Sequence, residues 1–67
     1  MMSILIDWNV LRYVPKSKRA AIRDAYHDED GYWIHLNPGW RVKDYFAEQT
    51  IHEDTIAELR EVIKRIV

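Results

Sequence analysis

A chain of 67 residues is one small domain, burying only about 60% of the surface its unfolded form exposes, and this argues against a deep catalytic cleft. It has no cysteine, so neither a disulfide frame nor a thiolate metal site holds it together, and its three Trp, four Tyr and one Phe must carry much of the core. Ten Lys and Arg against eleven Asp and Glu leave a formal charge of −1, which removes the usual electrostatic case for non-specific binding to DNA or RNA.

The N-terminal Met2-Ser3-Ile4-Leu5-Ile6 is too short, and too soon followed by Asp7, to be a secretory signal, and no apolar stretch approaches a membrane span. The expectation is a soluble protein of the cytoplasm. Ile4, Ile6, Trp8 and Val10 alternate as in a strand, while Leu5, Trp8, Leu11 and Arg12 fit a helical stripe that Asp7 could cap. A short strand followed by a helical turn accommodates both patterns.

Next comes a basic segment, Arg12, Lys16, Lys18, Arg19 and Arg23, which contains no acid. It is followed by Asp24, Asp28, Glu29 and Asp30 with no Lys or Arg among them, an asymmetry that makes a dipolar surface. Helix formers from Ser17 to Tyr26 favour a helix by propensity alone. The hairpin that follows requires Ile22 to His27 to be extended, and the strand is the preferred reading.

The hairpin is the strongest local signal. Asp28-Glu29-Asp30-Gly31 is an acidic turn, Tyr32-Trp33-Ile34-His35-Leu36 is a strand of bulky residues, and Asn37-Pro38-Gly39 stops it. A turn at Asp28 to Gly31 sets Ala25 opposite Ile34, Tyr26 opposite Trp33 and Asp24 opposite His35. One face then carries Ala25, Tyr32, Ile34 and Leu36 for the core. The other carries Asp24, Tyr26, Trp33 and His35, and needs the N-terminal segment, the Tyr45-Phe46 loop or another molecule to cover it.

Arg41 to Gln49 has no clear period and reads as an irregular loop leading to a short third strand near Thr50-Ile51. Thr50-Ile51-His52-Glu53 also fits a capping box, which predicts a helix beginning there with Glu53 and Asp54 in its first turn. Ile56, Leu59, Val62, Ile63 and Ile66 line one face of that helix, with Glu61 placed to pair with Arg65. The fold class is therefore α+β: a small antiparallel sheet, built from the hairpin plus short extra strands, packed on one C-terminal helix.

Imidazoles and carboxylates bind metals and move protons, so His27, His35 and His52 with Asp28, Glu29, Asp30, Glu53 and Asp54 are the candidates for chemistry. No His pair has helical ligand spacing, and the acidic run is too short for a calcium loop. These residues read as turn formers and a helix cap, with no metal, no cofactor and no catalytic group expected. Exposed aromatics beside charge instead point to binding. The expected partner surface is Asp24, Tyr26, Asp28, Glu29, Asp30, Trp33, His35 and Trp40.

The run Ala25 to Leu36, with its Asp-Glu-Asp-Gly-Tyr-Trp core, then Pro38-Gly39-Trp40 and Thr50-Ile51-His52-Glu53-Asp54-Thr55-Ile56, resembles a family of very small uncharacterised proteins from bacteriophages, prophages and related mobile elements. The likeness covers about half the chain and carries no activity. It implies a non-enzymatic protein that binds and blocks a host protein or ribonucleoprotein complex, as anti-CRISPR and other anti-defence proteins do. The alternative is a nucleic-acid-binding accessory protein using Arg12, Lys16, Lys18, Arg19 and Arg23 with Tyr26 and Trp33. Pairing of the open sheet with a second copy is compatible with either.

Overall fold

A computed structural model of the chain describes residues 5–67. Ile4 and the residues before it, part of the expected N-terminal strand, lie outside that range. Its order is α1 (Trp8–Leu11), a 3-10 helix (Lys16–Ala21), β1 (Ile22–Asp28), β2 (Gly31–Leu36), β3 (Thr50–Glu53) and α2 (Ile56–Ile63). The three strands form one antiparallel sheet in the order β1-β2-β3, packed with α2, so the α+β reading is borne out.

At its N-terminal end Ile6 bridges Ala25 in parallel, with Ala25 N–H on the Leu5 carbonyl at 2.8 Å and Asp7 N–H on the Ala25 carbonyl at 2.7 Å. Asp7 then caps α1, its Oδ1 accepting from Asn9 N–H at 2.9 Å. A strand-like contact followed by a capped helical turn is what the overlapping periodicities predicted. The helix-forming run after Pro15 is realised only as the 3-10 helix, which stops at Ala21. From Ile22 onward, cross-strand pairing with β2 outweighs intrinsic propensity, a difference of only tenths of a kcal/mol per residue.

The hairpin register agrees with the expectation pair for pair: Asp24 with His35, Ala25 with Ile34, Tyr26 with Trp33 and Asp28 with Gly31. The pairing slips between Ile22 and Asp24, so Ile22 faces Leu36. The turn is tight because Asp28 Oδ1 accepts from Asp30 N–H at 2.8 Å and Gly31 takes φ +126. Gly31 also lies against β3, where an added Cβ would meet the Glu53 carbonyl oxygen at 2.6 Å.

The C-terminal helix begins later than the first capping-box pattern suggests. Thr50–Glu53 is β3, and the cap is Thr55, whose Oγ1 accepts from Glu58 N–H at 3.2 Å while its hydroxyl donates to Glu58 Oε1 at 2.9 Å. Thr55-Ile56-Ala57-Glu58 repeats the pattern five residues on. The first copy is overridden because Ile51, paired with Ile34, is fully buried in the sheet. Glu53 therefore sits on a strand, not in the first helical turn. At the other end Glu61 pairs with Lys64 at 3.2 Å, where Arg65 was expected, and the Arg65 guanidinium lies 6.0 Å from the Tyr45 ring centroid.

The core is aliphatic: Ala25, Ile34, Leu36 and Ile51 from the sheet meet Leu59, Val62, Ile63 and Ile66. Val10, Val14, Ala21 and Val42 complete it. Tyr32 and Ile56, expected on the core-facing side, pack against it and are partly buried. Val42 is drawn in by a bridge to Ile66, which anchors the otherwise irregular loop.

Candidate binding face

The non-core face of the sheet carries a row of rings created by the register. Tyr26, Trp33 and His52 are direct cross-strand neighbours on β1, β2 and β3, and His35 stands two residues along β2 from Trp33. The planes are close to parallel. Trp33 lies 6.3 Å from Tyr26 at 16°, 6.3 Å from His35 at 15° and 4.2 Å from His52 at 30°, centroid to centroid. All four rings are half-buried, partly by one another, with spacings in the range favourable for ring pairs.

Hydrogen bonds fix each ring in place. Trp33 Nε1–H donates to Asp28 Oδ1 at 3.0 Å. The Tyr26 hydroxyl meets His35 Nε2 at 2.9 Å, and His35 Nδ1 meets the Thr50 hydroxyl at 3.3 Å. His52 Nε2–H donates to the Asp30 carbonyl at 2.6 Å, closing β3 onto the hairpin turn. His27 stands apart, with Nδ1 on Asp7 Oδ2 at 2.6 Å. Among the described residues no three of the His, Asp and Glu side chains converge as metal ligands.

Two carboxylates rim the face and are held ionised below the usual range. Asp28 is shifted down chiefly by the Trp33 indole N–H and then by the Asp30 backbone N–H. Asp24 is shifted down first by the Leu5 N–H, which meets its Oδ1 at 3.0 Å, against a smaller opposing effect of desolvation, with help from Arg23 at 3.1 Å. Glu29 and Asp30 stand exposed at the turn.

Of the expected partner surface, Asp24, Tyr26, Asp28, Trp33 and His35 thus come together, with Glu29 and Asp30 at their tip. Trp40 does not join them: it packs half-buried against the core, and its carbonyl accepts from Gln49 at 3.4 Å. The basic segment is dispersed. Lys18 Nζ reaches the C-terminus of α2, donating to the Lys64 carbonyl at 2.8 Å and the Ile63 carbonyl at 3.3 Å. Arg19 donates to the Val14 carbonyl at 3.1 Å and lies 5.0 Å over the Trp8 ring. Arg12 and Lys16 are exposed.

Three residues take parts other than those the sequence suggested, which were a helix cap for His52 and a cover for the open face for Tyr45 and Phe46. His52 belongs to the ring row, and a third strand extended from Ile51 would have revealed it, since Ile51 facing inward puts His52 outward opposite Trp33. Tyr45 seals the outer edge of β3, its hydroxyl accepting from His52 N–H at 3.2 Å and lying 2.9 Å from the His52 carbonyl and 2.6 Å from Glu53 Oε2. Phe46 is fully exposed on the loop, and nothing in an aperiodic stretch marks it in advance.

Fold and face together define a small α+β domain whose open sheet surface is aromatic with an acidic rim. No protein-family model, curated protein or solved structure matches the chain.

Proposed function

We propose that this protein is a small non-enzymatic phage or mobile-element protein that binds and inhibits a host macromolecule, of the anti-CRISPR or other anti-defence type, through the open face of its hairpin. The observation that carries the reading is the row Tyr26, Trp33, His35 and His52, held rigid by side-chain hydrogen bonds and bordered by ionised carboxylates. Pre-positioned aromatics are the groups that supply most interface energy, and rim charges steer the encounter. A cleft of about 490 Å³ lies in the Arg41 to Glu48 loop and is not lined by the ring row.

The test is expression of the chain in a bacterium with an active immune system against a challenging phage. Plating should rise with the natural chain and return to baseline with Trp33→Ala, provided circular dichroism shows that variant folded; no rise in any immune background overturns the reading. The nucleic-acid alternative is favoured by the same four rings, since parallel aromatics hold single-stranded bases. Its cationic half is weaker, because Lys18 and Arg19 are engaged within the fold. Steeply salt-dependent binding of purified protein to DNA or RNA, tightened by Asp28→Lys with Asp30→Lys, would transfer the assignment to that alternative.

A further inference from the structure

The ring row is not uniform. One face of Trp33 is covered by His52 at 4.2 Å, while the nearest ring on the β1 side, Tyr26, stands at 6.3 Å. On that looser side, Asp28 follows Tyr26 by two residues on β1 and so shares its face. Tyr26, Trp33 and Asp28 thus stand together at one corner of the open face: two near-parallel rings 6.3 Å apart and a carboxylate at the indole N–H. Both side-chain hydrogen bonds of Asp28 fall on Oδ1, leaving Oδ2 the less engaged oxygen.

Charge points the same way. Glu53 pairs with Tyr32 beside the turn, so Asp28, Glu29, Asp30, Glu53 and Asp54 gather at one end of the sheet in a chain whose net charge is only −1. No described Lys or Arg pairs with any of them.

We propose that this corner binds an arginine side chain of a cationic protein segment, its guanidinium packed over the solvent-facing part of the Tyr26 and Trp33 rings and donating to Asp28 Oδ2. A planar guanidinium can stack on an indole and hydrogen-bond a carboxylate at once, whereas a lysine ammonium is a compact, strongly hydrated point charge. Because Asp28 already holds the indole N–H, ring and carboxylate are fixed relative to each other before the ligand arrives. This deepens the proposed function, resting on its choice of the hairpin face and naming the partner chemistry as an arginine-bearing surface of the kind that grips nucleic acid.

The test is a titration of the ¹⁵N-labelled full chain with blocked hexa-arginine, hexalysine and hexacitrulline peptides, following the Trp33 indole N–H signal. Hexa-arginine should shift that signal saturably and bind about fivefold or more tighter than hexalysine, with hexacitrulline inert. Asp28→Asn, an exposed and near-isosteric change, should remove most of that preference. Equal affinity for the two cationic peptides, an unmoved Trp33 signal or an indifferent Asp28→Asn variant overturns the inference. So does a thymidine decanucleotide that shifts Trp33 at lower concentration than hexa-arginine. Arginine selectivity without protection of phage refutes only the functional reading, while Trp33-dependent protection without arginine selectivity refutes only this one.

Discussion

Tyr45→Phe removes a single oxygen that stands in for a missing neighbouring strand. Because Trp33 and His52 face each other between ladder hydrogen bonds, the N–H and C=O of His52 point outward from β3, and the Tyr45 hydroxyl meets both, at 3.2 and 2.9 Å, with Glu53 Oε2 at 2.6 Å. The hydroxyl has one proton, so it makes two good bonds at a time, one accepted and one donated. At about 0.5–1.5 kcal/mol net for each, and with water able to reclaim part of a half-buried edge, the loss should be about 1–2 kcal/mol. For a domain of this size that lowers Tm by roughly 5–15 °C. The same substitution should change the alkaline limb of the stability curve. Burial, and then donation to Glu53, hold the Tyr45 phenol above its ordinary value of 10.0. The folded state therefore keeps this proton to higher pH than the unfolded state does, so the contribution is complete below about pH 10 and is lost as pH rises through the folded value. Thermal melts by circular dichroism at pH 7 and across pH 9–11 measure both effects. A variant with the parent's Tm and the parent's alkaline slope would show that the hydroxyl does not seal the edge.

Leu59→Ala should cost about 2–5 kcal/mol by opening a cavity between α2 and the sheet, and an unchanged Tm would mean that α2 does not close the core. Gly31→Ala should cost about 2 kcal/mol or more, because φ +126 is strained for any side chain and the new Cβ falls 2.6 Å from the Glu53 carbonyl; urea denaturation within 0.5 kcal/mol of the parent, a bound set from the usual size of surface effects, would refute this. Lys18→Met should lower Tm by roughly 5–10 °C through loss of the charged cap on α2, a bond worth about 1–2 kcal/mol at a partly exposed site; a variant as stable as the parent would place Lys18 back among the free surface cations.

The parts of this structure that were legible in the sequence are those governed by one local rule at a time. The Asp28 to Gly31 turn fixed the register, and the register alone assigned Ala25 and Ile34 to the core and Tyr26 and Trp33 to the open face. Where two local rules competed, the outcome depended on contacts the sequence does not display. Thr50 and Thr55 both head a Thr-x-x-Glu pattern, and what decided between them was the burial of Ile51 against Ile34. Lys18 and Arg19 looked like surface cations because a carbonyl acceptor leaves no trace in composition. Phe46 and Tyr45, adjacent in sequence, have opposite fates, one fully exposed and one bound to a strand edge, and no propensity separates them.

A domain this small has no side chains to spare for a site built apart from the scaffold. Asp28 shows the economy: one oxygen both tightens the turn through Asp30 N–H and orients Trp33 through its indole, while the other makes neither of these bonds. His52 likewise stacks on Trp33 and ties the end of β3 to the turn. The groups that make the face rigid are therefore the groups that make the fold stable, so truncating a ring perturbs both together. Changes at Asp28 that preserve shape and remove charge separate the two, since Asn can still close the turn through its side-chain oxygen. The acidic rim is accordingly the place where recognition can be altered while the sheet stays intact.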